Sequence, residues 1–336
     1  MADDKLTEPH RATSADVARL AGVSRATVSF VLNATQPQRV SQRTRERVLA
    51  AAEQLEYVPH AVARSLRAGH TNLVLVPTSV SAIGRLVSGW LEDLHSELHR
   101  LGYTVVMHGG RFADLESAAR AWAEMRPTAI FALAEERFTP EVVQLLRRSG
   151  VRALFTYAAA PVPGAYTVLF DHAEIGAAAA EHLVDRGRRN IGVVMPQERG
   201  LEVFAKPRLT GVRRAAVARG ASVTEVPLDY AEEAAADLAD GWSKLGLDSV
   251  FAYNDEYAAL LMRAFQDVGI DVPGEVAMVG ADDLLLGRLQ RPRLTSIRLD
   301  VPPSRLIAQT LTQLIETGTA PPLPPMTATL VAREST

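Results

Sequence analysis

Residues 13–33 read TSADVARLAGVSRATVSFVLN, and their spacing decides the fold of the N-terminal part of the chain. Thr13 stands three residues before Asp16, the spacing of a helix N-cap. Val17, Ala18 and Ala21 follow as the apolar stripe of one short helix. Gly22 supplies the left-handed turn that ends it. Ser24, three before Thr27, starts a second helix. There Val28, Val31 and Leu32 share one face. Arg25, Ala26, Ser29, Phe30 and Asn33 recur at i, i+1, i+4, i+5 and i+8 on the other. Two short helices, a tight turn and a row of side chains with nothing to pack against form the pattern of a helix-turn-helix. Its second helix is built to enter a DNA major groove.

Beyond this stretch, Ser41 caps a third helix whose stripe is Val48, Ala52 and Leu55, and Tyr57-Val58-Pro59 stops it. On the groove-facing row, Arg25 can grip a guanine edge bidentately. Ala26 and Phe30 can offer apolar contact to a thymine methyl. Ser24, Thr27, Ser29, Asn33 and Ser41 suit phosphate oxygens and would set register. The alternative is a small bundle with a solvated face, against which an exposed Phe30 beside Arg25 argues. Residues 13–69 carry eight arginines against four acids, while the whole chain has a formal net charge of −3. A basic module thus precedes an acidic body.

At 336 residues the chain needs two or three domains. It has no cysteine, which excludes disulfides, thiolate zinc sites and thiol catalysis and favours a reducing compartment. No apolar run reaches the ~18 residues of a membrane span, and no secretory signal layout is present. The chain has no G-x-S-x-G, P-loop or G-x-G-x-x-G motif and no acid–base–nucleophile cluster. Neither an enzyme nor a cofactor is therefore expected. His95 and His99 sit in an H-x-E-x-H spacing rather than the zincin H-E-x-x-H, so no metal site is expected.

From residue 71 short apolar runs alternate with helical patterns of about a dozen residues. The runs are LVLVP, TVVMH, AIFALA, ALFTY, TVLFD, IGVVMP, VFAYN and VAMVGAD. This alternation predicts parallel sheets covered by helices on both faces.

DVARLAGVSRATVSFVLN, continued by VSQRTRERVLAAAEQLEYVPHAVARSLRAG at 40–69, resembles the LacI/GalR (lac repressor) family of bacterial transcription regulators. The resemblance runs on through LGYTVV, HLVDRGRRNIGVV, YNDEYA, GIDVPGEVAMVGADD and RPRLTSI. It departs at Phe30, where the family usually has a polar or basic residue, and at His60, where Asn is usual after the proline. The implied architecture is an all-α head and an α/β, periplasmic-binding-protein-like body of two parallel-sheet subdomains. Residues 1–12 form a disordered arm, 13–58 the head and 59–69 a hinge helix. One subdomain takes 70–166 and 299–318, and the other 167–298 and 319–336. The chain crosses between subdomains near 166, 298 and 319.

The same resemblance implies that His60 meets a phosphate and that Ala63 and Leu66 enter the minor groove at the centre of the operator. It implies a small effector, a sugar or related metabolite, held by Arg208, Tyr230, Asn254, Asp282, Tyr157 and Arg85. Leu133 and Leu299 make one side of that pocket less polar than in sugar-binding members. The helix carrying Trp90, Leu91, Leu94, Leu98 and the histidine pair is expected near a dimer interface, with those histidines buried or at its rim. The expected protein is a cytoplasmic, effector-controlled repressor, nucleoid-associated when bound, that acts as a homodimer on double-stranded operator DNA without membrane partners. The alternative is a small-molecule sensor whose head has weak or lost operator specificity.

Overall fold

The computed structural model describes residues 12–32, 40–57, 71–77, 85–110, 112–133 and 138–336. Most of the expected arm, Asn33 and the hinge segment with His60, Ala63 and Leu66 lie outside the described residues. The chain divides into two compact units, 1–71 and 72–336.

The first unit holds α1 (Ser14–Ala21), α2 (Arg25–Leu32) and α3 (Gln42–Gln54). Thr13 and Asp16 close a full capping box at the start of α1, and Gly22 ends it at φ 62°, ψ 41°. Ser24 accepts the Thr27 N–H at 3.1 Å, and Ser41 accepts the Thr44 N–H at 3.3 Å. Val17, Ala18, Ala21, Val28, Val31, Val48, Ala51 and Ala52 form the core of this small bundle. Leu55 packs at its margin.

The second unit contains two sheets. The strands of the first are β1 (Leu73–Val76), β2 (Thr104–Met107), β3 (Ala129–Ala132), β4 (Ala153–Ala158) and β5 (Tyr166–Leu169). Their order is β2-β1-β3-β4-β5, with every pair parallel. The helices of this half are α4 (Arg85–Arg100), α5 (Leu115–Glu124) and α6 (Pro140–Arg148). Successive strand side chains point to opposite faces, so apolar runs fill two layers. Val74, Val76, Phe131 and Phe155 meet Leu91, Leu94 and Leu98 of α4 on one face. Leu75, Ile130 and Leu154 meet Trp122 and Leu146 on the other. The α4 leucines belong to the core of their own subdomain, and His95 and His99 are exposed on the single chain.

The second half continues through α7 (Ala173–Asp185), β6 (Asn190–Pro196), α8 (Glu202–Val217), β7 (Ser222–Leu228) and α9 (Glu232–Gly241). It goes on with β8 (Ser249–Phe251), α10 (Asp255–Val268), β9 (Ala277–Ala281), α11 (Leu285–Leu289) and β10 (Thr295–Asp300). Then α12 (Ser304–Thr317) packs with α4 on the first core, and β11 (Thr327–Val331) returns to the second sheet. The second sheet runs β11-β10-β9-β8-β6-β7. All its pairs are parallel except β10 with β11, because β11 re-enters from the other subdomain in the opposite direction. Strand β5 ends at Leu169, β10 ends at Asp300, and the chain rejoins the second sheet after Met326. There the Met326 N–H donates to the Leu169 carbonyl at 3.0 Å.

Helices α7 and α8 cross at glycines. A Cβ on Gly176 would stand 1.8 Å from the Arg208 carbonyl oxygen, and one on Gly211 would stand 1.8 Å from that of Ala173. Only hydrogen fits at these two positions. At the end of the chain, Ser335 is buried against β9 and β10. Its Oγ donates to the Met278 carbonyl at 2.6 Å and accepts the Thr295 N–H at 2.8 Å. No helix among the described residues is long and apolar enough to cross a membrane.

Candidate functional site

In the head, α2 leaves Arg25 and Ala26 exposed, with Thr27, Ser29 and Phe30 half-buried. Phe30 is thus less open than the exposed position its spacing suggests. Helical side chains lean back over the preceding turn, so a ring at 30 is partly covered even on the face away from the core. Ser24 and Ser41 hold their hydroxyls on their own helices as N-caps. Arg47 also works inside the head. Its Nη2 and Nε donate to the Ala21 carbonyl at 2.7 and 3.2 Å, and Nη2 reaches that of Gly22 at 3.3 Å. Arg43 is exposed and Arg45 half-buried.

In the body, the second sheet gathers its polar groups beyond the carboxyl ends of β8 and β9, where open α/β sheets place ligands. Arg208 of α8 is only 5% exposed. Its Nη1 donates to the Tyr253 carbonyl at 2.6 Å, and its guanidinium lies 4.7 Å from the centre of the Tyr253 ring. Nη2 faces Asp282 Oδ1 across 3.9 Å, an ion pair without a hydrogen bond. Burial pushes the Asp282 carboxyl above its ordinary range, outweighing the pull of Arg208. His172 stands between Phe170 and Phe204, with ring centres at 4.7 and 5.1 Å. Burial, and secondarily Arg208, push His172 down to about 3, so it is neutral. Arg208 Nε, Asp282 Oδ1 and His172 Nδ1 are all buried without a hydrogen-bond partner.

The structure brings Arg208 and Asp282 together. The other expected residues make contacts of their own. Asn254 N-caps α10, its Oδ1 accepting the Tyr257 N–H at 3.0 Å. Tyr230 is 51% exposed, its ring 5.1 Å from that of Tyr257, which donates to Glu198 at 2.6 Å. Tyr157 joins the aromatic core of the first sheet, with Trp90, Phe131 and Phe155 at 6.2, 5.8 and 6.0 Å. Its hydroxyl is buried without a partner, and burial raises its pKa. Leu133 and Leu299 pack against apolar cores. Arg85 opens α4, and its side chain is outside the described residues. His172 carries no sequence motif. It becomes visible only once β5 and α8 are brought together.

Residues 13–60 match the lacI family of bacterial regulatory proteins, and residues 180–336 match a periplasmic binding protein-like domain. The HTH-type transcriptional repressor PurR of Vibrio campbellii is 30% identical over 296 residues, covering 85% of this chain and 86% of that repressor. The chain belongs to the lacI family. As a member it is a DNA-binding transcription regulator and not an enzyme. The structure of the lac repressor dimer bound to operator and the anti-inducer ONPF is similar at a TM-score of 0.75 and 25% identity. That match covers 97% of this chain and 99% of the other. A CelR–cellobiose complex is similar at 0.62 and 26% identity, over 97% and 100%. The lacI-family fold thus accounts for both the helix-turn-helix head and the two-sheet body.

Proposed function

We propose that this lacI-family chain is a repressor whose operator affinity is set by a small molecule held between the two body subdomains. It acts as a homodimer on a pseudo-palindromic site in the bacterial cytoplasm. The observation that supports this reading is the cluster of three buried, unpartnered polar atoms on Arg208, Asp282 and His172, in a chain that also carries a helix-turn-helix head. A buried polar group without a partner costs about 1–3 kcal/mol, so three together form a receiving surface for a ligand. Arg208 Nε can donate to the effector, Asp282 can accept from a hydroxyl, and Tyr230 offers an exposed ring. A sugar or related metabolite fits such a set, and the similar CelR structure is a complex with cellobiose.

On this reading the head spans 13–58 and the hinge 59–69. Arg25, Ala26 and Phe30 meet base edges, while Thr27, Ser29, Asn33 and His60 meet phosphates. Ala63 and Leu66 enter the minor groove. Effector and operator are then coupled reciprocally: whatever the effector does to operator affinity, the operator does to effector affinity.

Selection of bound sequences from a random DNA pool tests the operator reading. One palindrome should be enriched, and a pool without enrichment overturns it. Calorimetry against a metabolite panel tests the effector reading. The binding heat found in the wild type should vanish in Arg208→Met.

A further inference from the structure

The turn that carries Asp282 links the end of β9 to α11. Asp282 and Asp283 adopt φ of 93° and 50°, a region that residues with side chains enter rarely. Each of three consecutive amides there is captured. Asp282 N–H donates to the Ile297 carbonyl at 2.8 Å, Asp283 N–H to Ser296 Oγ at 3.0 Å, and Leu284 N–H to Asp255 Oδ2 at 2.7 Å. Ser296 Oγ in turn donates to Asp255 Oδ1 at 2.6 Å. Both side-chain paths therefore end on one carboxylate.

Asp255 is fully buried, and its two bonding partners are neutral, a hydroxyl and an amide. The nearby cations serve the other acids. Arg208 faces Asp282, while Arg333 and Arg288 pair with Asp283. Asp282 and Asp283 themselves oppose ionisation of Asp255. Room is made for the carboxylate by glycine on two sides. A Cβ on Gly280 would come within 2.3 Å of Oδ1, and one on Gly287 within 3.2 Å of Oδ2. A buried carboxylate without a facing cation is unfavourable, and a core needs none.

We infer that Asp255 is a positioning residue of the effector site. Through Leu284 and Ser296 it fixes the left-handed turn at 282–283 and so sets Asp282 beside Arg208. This rests on the reading of Arg208 and Asp282 as effector-binding groups. The test uses the ligand-free full chain, so its outcome is separate from that of the metabolite panel, which tests that reading.

Asp255→Asn retains one acceptor, which can serve the Leu284 N–H or the Ser296 hydroxyl but not both. Hydrogen exchange at Asp283 and Leu284 should rise about tenfold, and the Asp282 carboxyl resonance of 13C-aspartate protein should shift. Ser296→Ala keeps Asp255 and breaks only the relay. Exchange should rise at Asp283 and not at Leu284. The Asp255 titration, near 7 in the wild type, should move upward, because the Ser296 hydrogen bond lowers it. Unchanged exchange at 283–284 or an unmoved Asp282 resonance in a cooperatively folded Asp255→Asn protein overturns the inference. If that variant does not fold, Ser296→Ala decides: unchanged exchange at Asp283 or an unmoved Asp255 midpoint overturns the inference.

Discussion

Arg208 touches Tyr253 twice, by a hydrogen bond from Nη1 to its carbonyl at 2.6 Å and by its guanidinium over the ring at 4.7 Å. The two contacts fix the plane of the guanidinium and leave Nε free of protein partners. Arg208→Met preserves much of the volume but strips the facing cation from Asp282. Stability to urea should fall by about 3 kcal/mol. Adding Asp282→Asn should restore part of that loss, because the orphaned acid is then gone. A double variant no more stable than Arg208→Met would show that the pair is not coupled.

Two buried groups give opposite pH dependences over one window. Burial holds Asp255 up to about 7, so its contribution is present in full below the ordinary carboxylate value of 3.8 and is lost as pH rises through about 7. Burial and Arg208 hold His172 down to about 3, so its contribution is present in full above the ordinary 6.5 and is lost as pH falls toward about 3. Each unit of separation is worth about 1.4 kcal/mol. The slopes nearly cancel in the wild type over about pH 4–6.5. Urea midpoints should fall on acidification in Asp255→Asn and rise on acidification in His172→Gln. A shared direction in both variants would remove the assignment.

The α7–α8 crossing offers a matched pair of glycine substitutions. Gly211→Ala drives a methyl against the Ala173 carbonyl, so the helices must part. A loss of about 3 kcal/mol is expected, as for an overpacked core. Gly241→Ala, with nothing within 4 Å of the new Cβ, should be neutral or stabilising by up to about 1 kcal/mol. Comparison of the two melting curves checks whether the close approach, rather than the residue type, matters.

Ser335 satisfies one buried N–H and one buried carbonyl with a single hydroxyl. Ser335→Ala leaves both without that partner and should lower stability by about 2–3 kcal/mol. Thr336→Ala removes only side-chain bonds to His182 and Thr295, at 2.8 and 3.0 Å, and should lose about 1 kcal/mol. Equal melting temperatures for the two variants would argue against a stabilising role for the two buried Ser335 bonds.

Local spacing made much of this architecture legible. Thr13, Ser24 and Ser41 bond their own helices at short range, so a single sequence displays them. Val74, Leu75 and Val76 are buried on alternate faces, which gives the unbroken apolar run of an inner parallel strand. By contrast, β7 is an edge strand whose SVTEVPL leaves most side chains toward water, so no apolar run announces it. The site was legible only in part. Arg208 and Asp282 lie in recognisable motifs, but Asn254 shows that one oxygen in such a motif can serve a helix end. Asp255, its sequence neighbour, gains meaning only when Ser296 and Leu284 fold onto it.

The Arg47 guanidinium, held on the carbonyls that end α1, changes how the positive charge of the head should be counted. Operator binding by basic side chains releases condensed counterions, and the logarithm of affinity falls with the logarithm of salt by about 0.9 per neutralised phosphate. Arg47 already offsets the negative end of a helix dipole. Arg25, Arg43 and Arg45 should therefore each contribute to that salt slope, while Arg47 leaves it unchanged and governs instead whether the head is folded when it arrives.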